Sequence, residues 1–390
     1  MLSTSQIKKF TTAAYYAAFL AMGVSMASLG PTLPGLAENT RATLGTISIL
    51  FTARSVGGLL GSVIGGQVYD KFRGHLVMAL VIVCMAGLTA LTPVFPLLWV
   101  LTAVLFFTGA IQGMLNIGGN AMLVWIHGDR GGPWMNGLHL FFGIGTFITP
   151  IIVAQFVTRQ GGLLWTYLLL AVIILPTLVV VFLPSPQPPH ALDRRSGTRL
   201  DVRLIVLISL VFACYNGASL AYGGWVYTYA VEMKLADATA AAYLTSVFWG
   251  ALTLGRLAAI PLALRFSPRA ILRADYVGAL LSLLVMLIFP RSLAAVVITS
   301  AGFGFALASI YPTTMSLSGQ LMTLSGRVTG LFSIGQSLGA MLIPWLIGQF
   351  FETTGPQSMA AILLVDMALA LVVLSVLGGR AAPQPAAQHG

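Results

Sequence analysis

Charge is the scarcest commodity in this chain. Only 8% of its 390 residues are Asp, Glu, Lys or Arg, whereas a soluble domain carries about 25%, so an ordinary water-borne globule is excluded. Cysteine is almost missing as well. Cys84 and Cys214 stand alone in apolar stretches, without the spacing of a disulfide framework or a metal site, and read as packing residues. No G-x-x-x-x-G-K-S/T phosphate loop, Cys/His metal set or arguable Ser-His-Asp spacing occurs, which argues against ATP-driven work, a resident metal and enzymatic catalysis. The net charge of +10 has no folded soluble surface to sit on, so nucleic-acid binding is not expected.

What fills the chain is apolar: 57% of it is hydrophobic. A membrane-spanning helix needs about 20 mainly apolar residues. Twelve such runs are expected, near 10–34, 43–69, 75–95, 97–126, 134–158, 163–183, 203–231, 239–265, 270–289, 293–321, 327–351 and 357–379. The first is read as a retained span, since it lacks the small-residue cleavage site of a signal peptide. One long polar connection, 184–202, divides the twelve into an N-terminal bundle (1–183) and a C-terminal bundle (203–379). The tail, 380–390, is low in complexity and expected to be disordered. Fourteen Lys and Arg residues fall on the side of the termini, among them Arg130, Arg194, Arg195, Arg199 and Arg380. Four fall opposite: Arg41, Arg159, Lys234 and Arg291. That bias predicts a multi-pass protein of the cell membrane with both termini cytoplasmic.

The halves echo each other. Gly143 to Phe156 (GIGTFITPIIVAQF) and Ser337 to Phe350 (SLGAMLIPWLIGQF) share Gly145/Gly339, Pro150/Pro344, Gln155/Gln349 and Phe156/Phe350. The runs from Phe51 and Phe248 share Phe51/Phe248, Gly58/Gly255 and Leu60/Leu257. Parallel duplication of this kind is how transporters that alternate access between two bundles are built.

Polar groups inside a span are costly unless they face a partner or a wet cavity, so their positions sketch the cavity. Gln112, Asn116 and Asn120 recur every fourth residue on one face of the fourth span. Three amides offer donors and acceptors suited to the hydroxyls of a neutral sugar, or else they bond neighbouring helices. His139 in the fifth span aligns with Ser333 in the eleventh, and Gln336 lies a turn beyond. The seventh span is rich in aromatic and amide groups, of which Asn216, Tyr222 and Trp225 are assigned to the site because aromatic faces stack on sugar rings. Trp249, Tyr311 and Thr314 complete the expected substrate set. Three charges stand within the hydrocarbon: Arg54, Arg256 and Asp366. Arg256 is expected to brace the eighth span against the nearby loop, and Asp366 to be structural or, in a proton-coupled carrier, the proton's seat.

The turn Gly66-Gln67-Val68-Tyr69-Asp70-Lys71-Phe72-Arg73-Gly74 resembles the loop signature of the major facilitator superfamily, G-x-x-x-D-R/K-x-G-R/K. Gly66, Asp70 and Lys71 match, while Arg73 stands where a glycine belongs. The resemblance implies an all-α membrane fold of two pseudo-symmetric six-helix bundles, and it gives Asp70 and Lys71 a part in the conformational balance. Gln112–Gly128, Tyr215–Ala230 and Phe248–Arg256 further resemble the sodium-dependent glucose transporter 1 group. That resemblance implies a monosaccharide substrate, glucose or a related hexose, carried by a monomer in the bilayer. In that group an acid usually stands at the positions of Asn116 and Ser219, and both are neutral here. Uniport is therefore expected alongside symport with Na+ or H+. The rival expectations are an exporter of amphiphilic drugs or lipids by proton antiport, whose glycine-proline signature Gly143 to Pro150 resembles only loosely, and a transport-dead sugar receptor.

Overall fold

A computed structural model describes residues 4–128, 131–186 and 201–378. The polar connection expected at 184–202 lies largely outside this set. The tail 380–390 and the residues Arg130, Arg194, Arg195, Arg199 and Arg380 also lie outside it. Among the described residues the protein is all helix. Twelve helices are long and apolar enough to cross a membrane: Gln6–Ala27, Leu44–Lys71, Gly74–Leu91, Leu98–His127, Gly132–Phe156, Gly162–Phe182, Val202–Glu232, Ala238–Ala263, Pro268–Ile288, Leu293–Leu321, Arg327–Thr353 and Ser358–Leu377. Several begin with a side-chain cap. Asp237, Ser267, Ser292 and Ser325 each accept a bond from the backbone N–H three residues on, satisfying a donor that the helix leaves free.

The first span departs from expectation. Instead of running to residue 34 it stops at Ala27, and a second helix, Leu29–Thr40, carries the chain onward. Pro31 explains the break, because it has no N–H to offer the carbonyl of Ala27 four residues back. The tenth span repeats the device. Its helix breaks at Ala308 and Ser309, Ala308 lying four residues behind Pro312, and restarts at Ile310.

Pairing of spans accounts for the sequence echo. The fifth span packs on the first and the eleventh on the seventh, while the second packs on the fourth and the eighth on the tenth. A Cβ at Gly145 would strike the carbonyl of Leu20, and one at Gly339 would strike the carbonyl of Ala213. The duplicated glycines thus permit equivalent backbone contacts in the two halves, as small residues do in membrane interfaces. The third, sixth, ninth and twelfth spans lie outside these pairs and expose Leu80, Phe182, Leu281 and Val365 among other apolar side chains, a surface suited to lipid.

The apolar core is not shared evenly. At the end remote from the termini, first-half residues such as Leu33, Ile47 and Leu105 merge into one cluster with the whole second half. At the termini end the first half has a separate cluster around Tyr15, Phe19, Met78 and Met122. The halves are therefore fused at one end of the molecule and parted at the other.

Candidate functional site

Where the halves part, they enclose a cavity of about 330 Å3. Its wall draws on the first, second, fourth and fifth spans of one half and the seventh, eighth and eleventh of the other. Asn116 and Ser333 face it and are exposed. Toward the remote end it is capped by Gly30 and by Phe51, which packs against the Trp225 ring at 6.0 Å. The glycines there are structural necessities. A Cβ on Gly30 would meet the carbonyl of Gly223, and one on Gly224 would meet the Phe51 ring.

Above this cap, hydrogen bonds tie the halves together. Gly45 N donates to Glu352 Oε1 (3.0 Å), and Gln349 Nε2 donates to Gly45 O (2.8 Å) and Ser48 Oγ (3.3 Å). On the other interface Gln155 Nε2 donates to Tyr243 Oη at 3.1 Å. Gln155 and Gln349 are the glutamines shared by the duplicated motif, so the next-to-last residue of both copies reaches across to the opposite half.

Arg54 is the one charged residue in the cavity wall. Its Nε and Nη2 donate to Gln112 Oε1 (3.0 and 2.9 Å), its Nη1 to Met26 O (2.9 Å) and its Nη2 to Ser25 O (3.3 Å). Every acceptor is uncharged. The two carbonyls belong to the last turn of the first span, just before its break, where a helix presents partial negative charge of roughly half a unit. Gln112 is held from its other end as well, its Nε2 donating to Ser25 Oγ at 2.9 Å. The side chain expected to greet a sugar hydroxyl is thus largely spent on the arginine.

The remaining expected residues divide. Asn116, Asn216, Trp249, Ser333 and Gln336 line the cavity. Trp249 leaves its indole N–H without a partner, and Asn216 Nδ2 donates to Gln336 O at 3.0 Å. Asn120 lies one turn beyond the lining and donates to Asn116 O and Oδ1. His139 also stands outside it, edge-on to Phe19 at 6.0 Å. Tyr311 packs against Phe212 and Tyr215.

Three expected residues stand apart from the cavity lining. Tyr222 is fully buried inside the second half, its hydroxyl paired with Ser300 Oγ at 2.9 Å and its ring against Phe248 and Phe303. Trp225 donates to Pro344 O at 2.9 Å and stacks on Phe351, so it belongs to the seal. Thr314 is buried away from the cavity. Met22, Met26, Ser55, Phe142 and Leu220 line the wall without having been anticipated; for the methionines the available signal was their four-residue spacing on one face of the first span.

Of the charges, Arg256 makes a long hydrogen bond to Tyr215 Oη at 3.5 Å among the described residues and lies within electrostatic reach of His139 and Tyr311. Asp366 is 6% exposed, lies near Cys214 and has one carboxylate oxygen without a partner. Asp70 and Lys71 are exposed at the termini end. No group of three or more potential ligands for a metal occurs among the described residues.

The Major Facilitator Superfamily profile matches residues 15–344. The chain is 31% identical over 356 residues to sodium-dependent glucose transporter 1 of Xenopus laevis, covering 83% of this chain and 72% of that protein. It is 31% identical over 382 residues to the Rattus norvegicus protein of the same name, covering 88% and 79%. Its fold is similar to the crystal structure of a D-xylose-proton symporter, with a TM-score of 0.77 at 13% identity over 94% of this chain and 97% of the other.

Proposed function

Because the chain belongs to the Major Facilitator Superfamily, we propose that it is a secondary transporter that carries a monosaccharide, glucose or a related hexose, by alternating access. The single observation that carries this reading is the cavity between the halves, lined by the amides of Asn116, Asn216 and Gln336 beside the Trp249 ring. Amides supply donors and acceptors for hydroxyls, and an indole face suits the apolar face of a sugar ring. Relatives named sodium-dependent glucose transporters support the substrate class.

On this reading the excess of basic residues on the side of the termini supports a cytoplasmic location for both, and the cavity then opens inward. The bundles 1–183 and 203–379 then rock about the central site, breaking the glutamine ties on one face as they close the other. Among the described residues no acid lines the cavity wall, so coupling to Na+ or H+ falls to Asp366, behind the seventh span, to the oxygens of the amide stripe Gln112, Asn116 and Asn120, or to no residue at all, which is uniport. The protein acts as a monomer in the cell membrane.

Liposomes containing the purified protein test the reading. A panel of labelled hexoses, glucose with its C6-oxidised and N-acetyl forms, is offered with and without inward Na+ or H+ gradients. Saturable entry of at least one member, abolished by Asn116→Leu, is expected. Accumulation driven by one gradient identifies the coupling ion, and equilibration indifferent to both identifies a uniporter. Failure of every hexose to enter overturns the reading.

A further inference from the structure

The charge lining this cavity points to a narrower substrate. Among the described residues no aspartate or glutamate lines it, and the one charge in its wall is the Arg54 guanidinium. That guanidinium has five N–H donors, and its hydrogen bonds go to Gln112, Ser25 and Met26, all neutral. The helix end that supplies two of those acceptors offsets about half of one charge. A net positive potential is left facing the cavity, in surroundings where charges are poorly screened.

A basic group also marks the way in. Trp249, Thr253 and Arg256 are spaced four and three residues apart and so share one face of the eighth span. Trp249 is in the cavity wall, which places Arg256 about 10 Å along that face toward the termini. The approach and the site therefore carry the same sign.

We propose that the monosaccharide carried is an acidic one, a hexuronate-type sugar whose carboxylate is drawn in past Arg256 and held in the cavity against Arg54. This rests on the monosaccharide reading above. A carboxylate fits better than a phosphate ester. One guanidinium, with most of its donors already committed, balances a monoanion, whereas a phosphate at neutral pH brings nearly two charges and three acceptor oxygens. The amides and the Trp249 ring remain for the hydroxyls and the ring face.

The test compares initial uptake of labelled D-glucuronate and D-glucose at pH 7 into liposomes containing the full chain. Arg256→Gln and Asn116→Asp are measured beside the unaltered protein, each first checked for a monodisperse gel-filtration profile. Transport efficiency for glucuronate at least tenfold above that for glucose is expected. Arg256→Gln should lower the glucuronate value at least tenfold while moving the glucose value less than threefold. Asn116→Asp should reverse the preference. Equal or better transport of glucose, or an Arg256→Gln effect that falls alike on both sugars, overturns the acidic-sugar proposal and leaves the monosaccharide reading standing. If neither sugar nor any other hexose enters, both fail together.

Discussion

Replacing Gln349 by leucine removes two hydrogen bonds that cross between the halves, to Gly45 O and Ser48 Oγ. In the opposite state, with this face open, water satisfies the same groups, so each bond contributes only its net value of about 0.5–1.5 kcal/mol. The change should shift the balance between the two states by about 1–3 kcal/mol, which is about a 5- to 150-fold rise in the relative population open at this face. Gln155→Leu removes one such bond, to Tyr243 Oη, and should shift the balance by about half as much in free energy. Nitroxide labels at Gln160 and Arg291, both exposed and on opposite halves at this end, read the populations as a distance distribution. A longer-distance component should grow in the order unaltered, Gln155→Leu, Gln349→Leu. If Gln349→Leu leaves the distribution unchanged, or Gln155→Leu acts more strongly, the glutamines do not hold this face closed.

Two further outcomes concern stability. Gly339→Ala drives a methyl group into the carbonyl of Ala213, an overpacking that should cost about 1–3 kcal/mol and lower the unfolding temperature in detergent, whereas Gly66→Ala, with open space around its Cβ position, should not. Arg54→Met strips the first span's broken end of its donors and should destabilise the fold by about 3 kcal/mol. Arg54→Lys, which keeps the charge but loses the forked geometry, should fall between in the same melting assay.

Much of the architecture was legible because a bilayer imposes length and hydropathy on every span, and eleven of the twelve expected runs lie within a few residues of the observed helices. The first run failed for a local reason: hydropathy continues through Pro31 even though the hydrogen-bond ladder does not. The cavity was only partly legible. Asn116, Asn216, Trp249, Ser333 and Gln336 line it, but a polar side chain in a span is equally content against another helix, as Tyr222 is against Ser300 and Trp225 against Pro344. The seventh span compounds the difficulty, because nearly all of its outer half is buried. No sequence periodicity then separates the side that meets the cavity from the sides that meet the eighth, eleventh and twelfth spans. Gln112 shows the converse: its position beside the cavity was legible, but the arginine that engages it comes from a different span.

The two glutamine ties stand on different interfaces, one between the second and eleventh spans and the other between the fifth and eighth. The apolar core already joins the halves at this end, and Thr52 Oγ1 donates to Met341 O at 3.1 Å beside the Gln349 tie. Ties on both seams resist a swivel about either one and favour a hinge-like tilt as the closed face parts. A synthetic antibody fragment that bridges just one of the two seams would for that reason jam the whole cycle, and either seam is an equally good place to aim it.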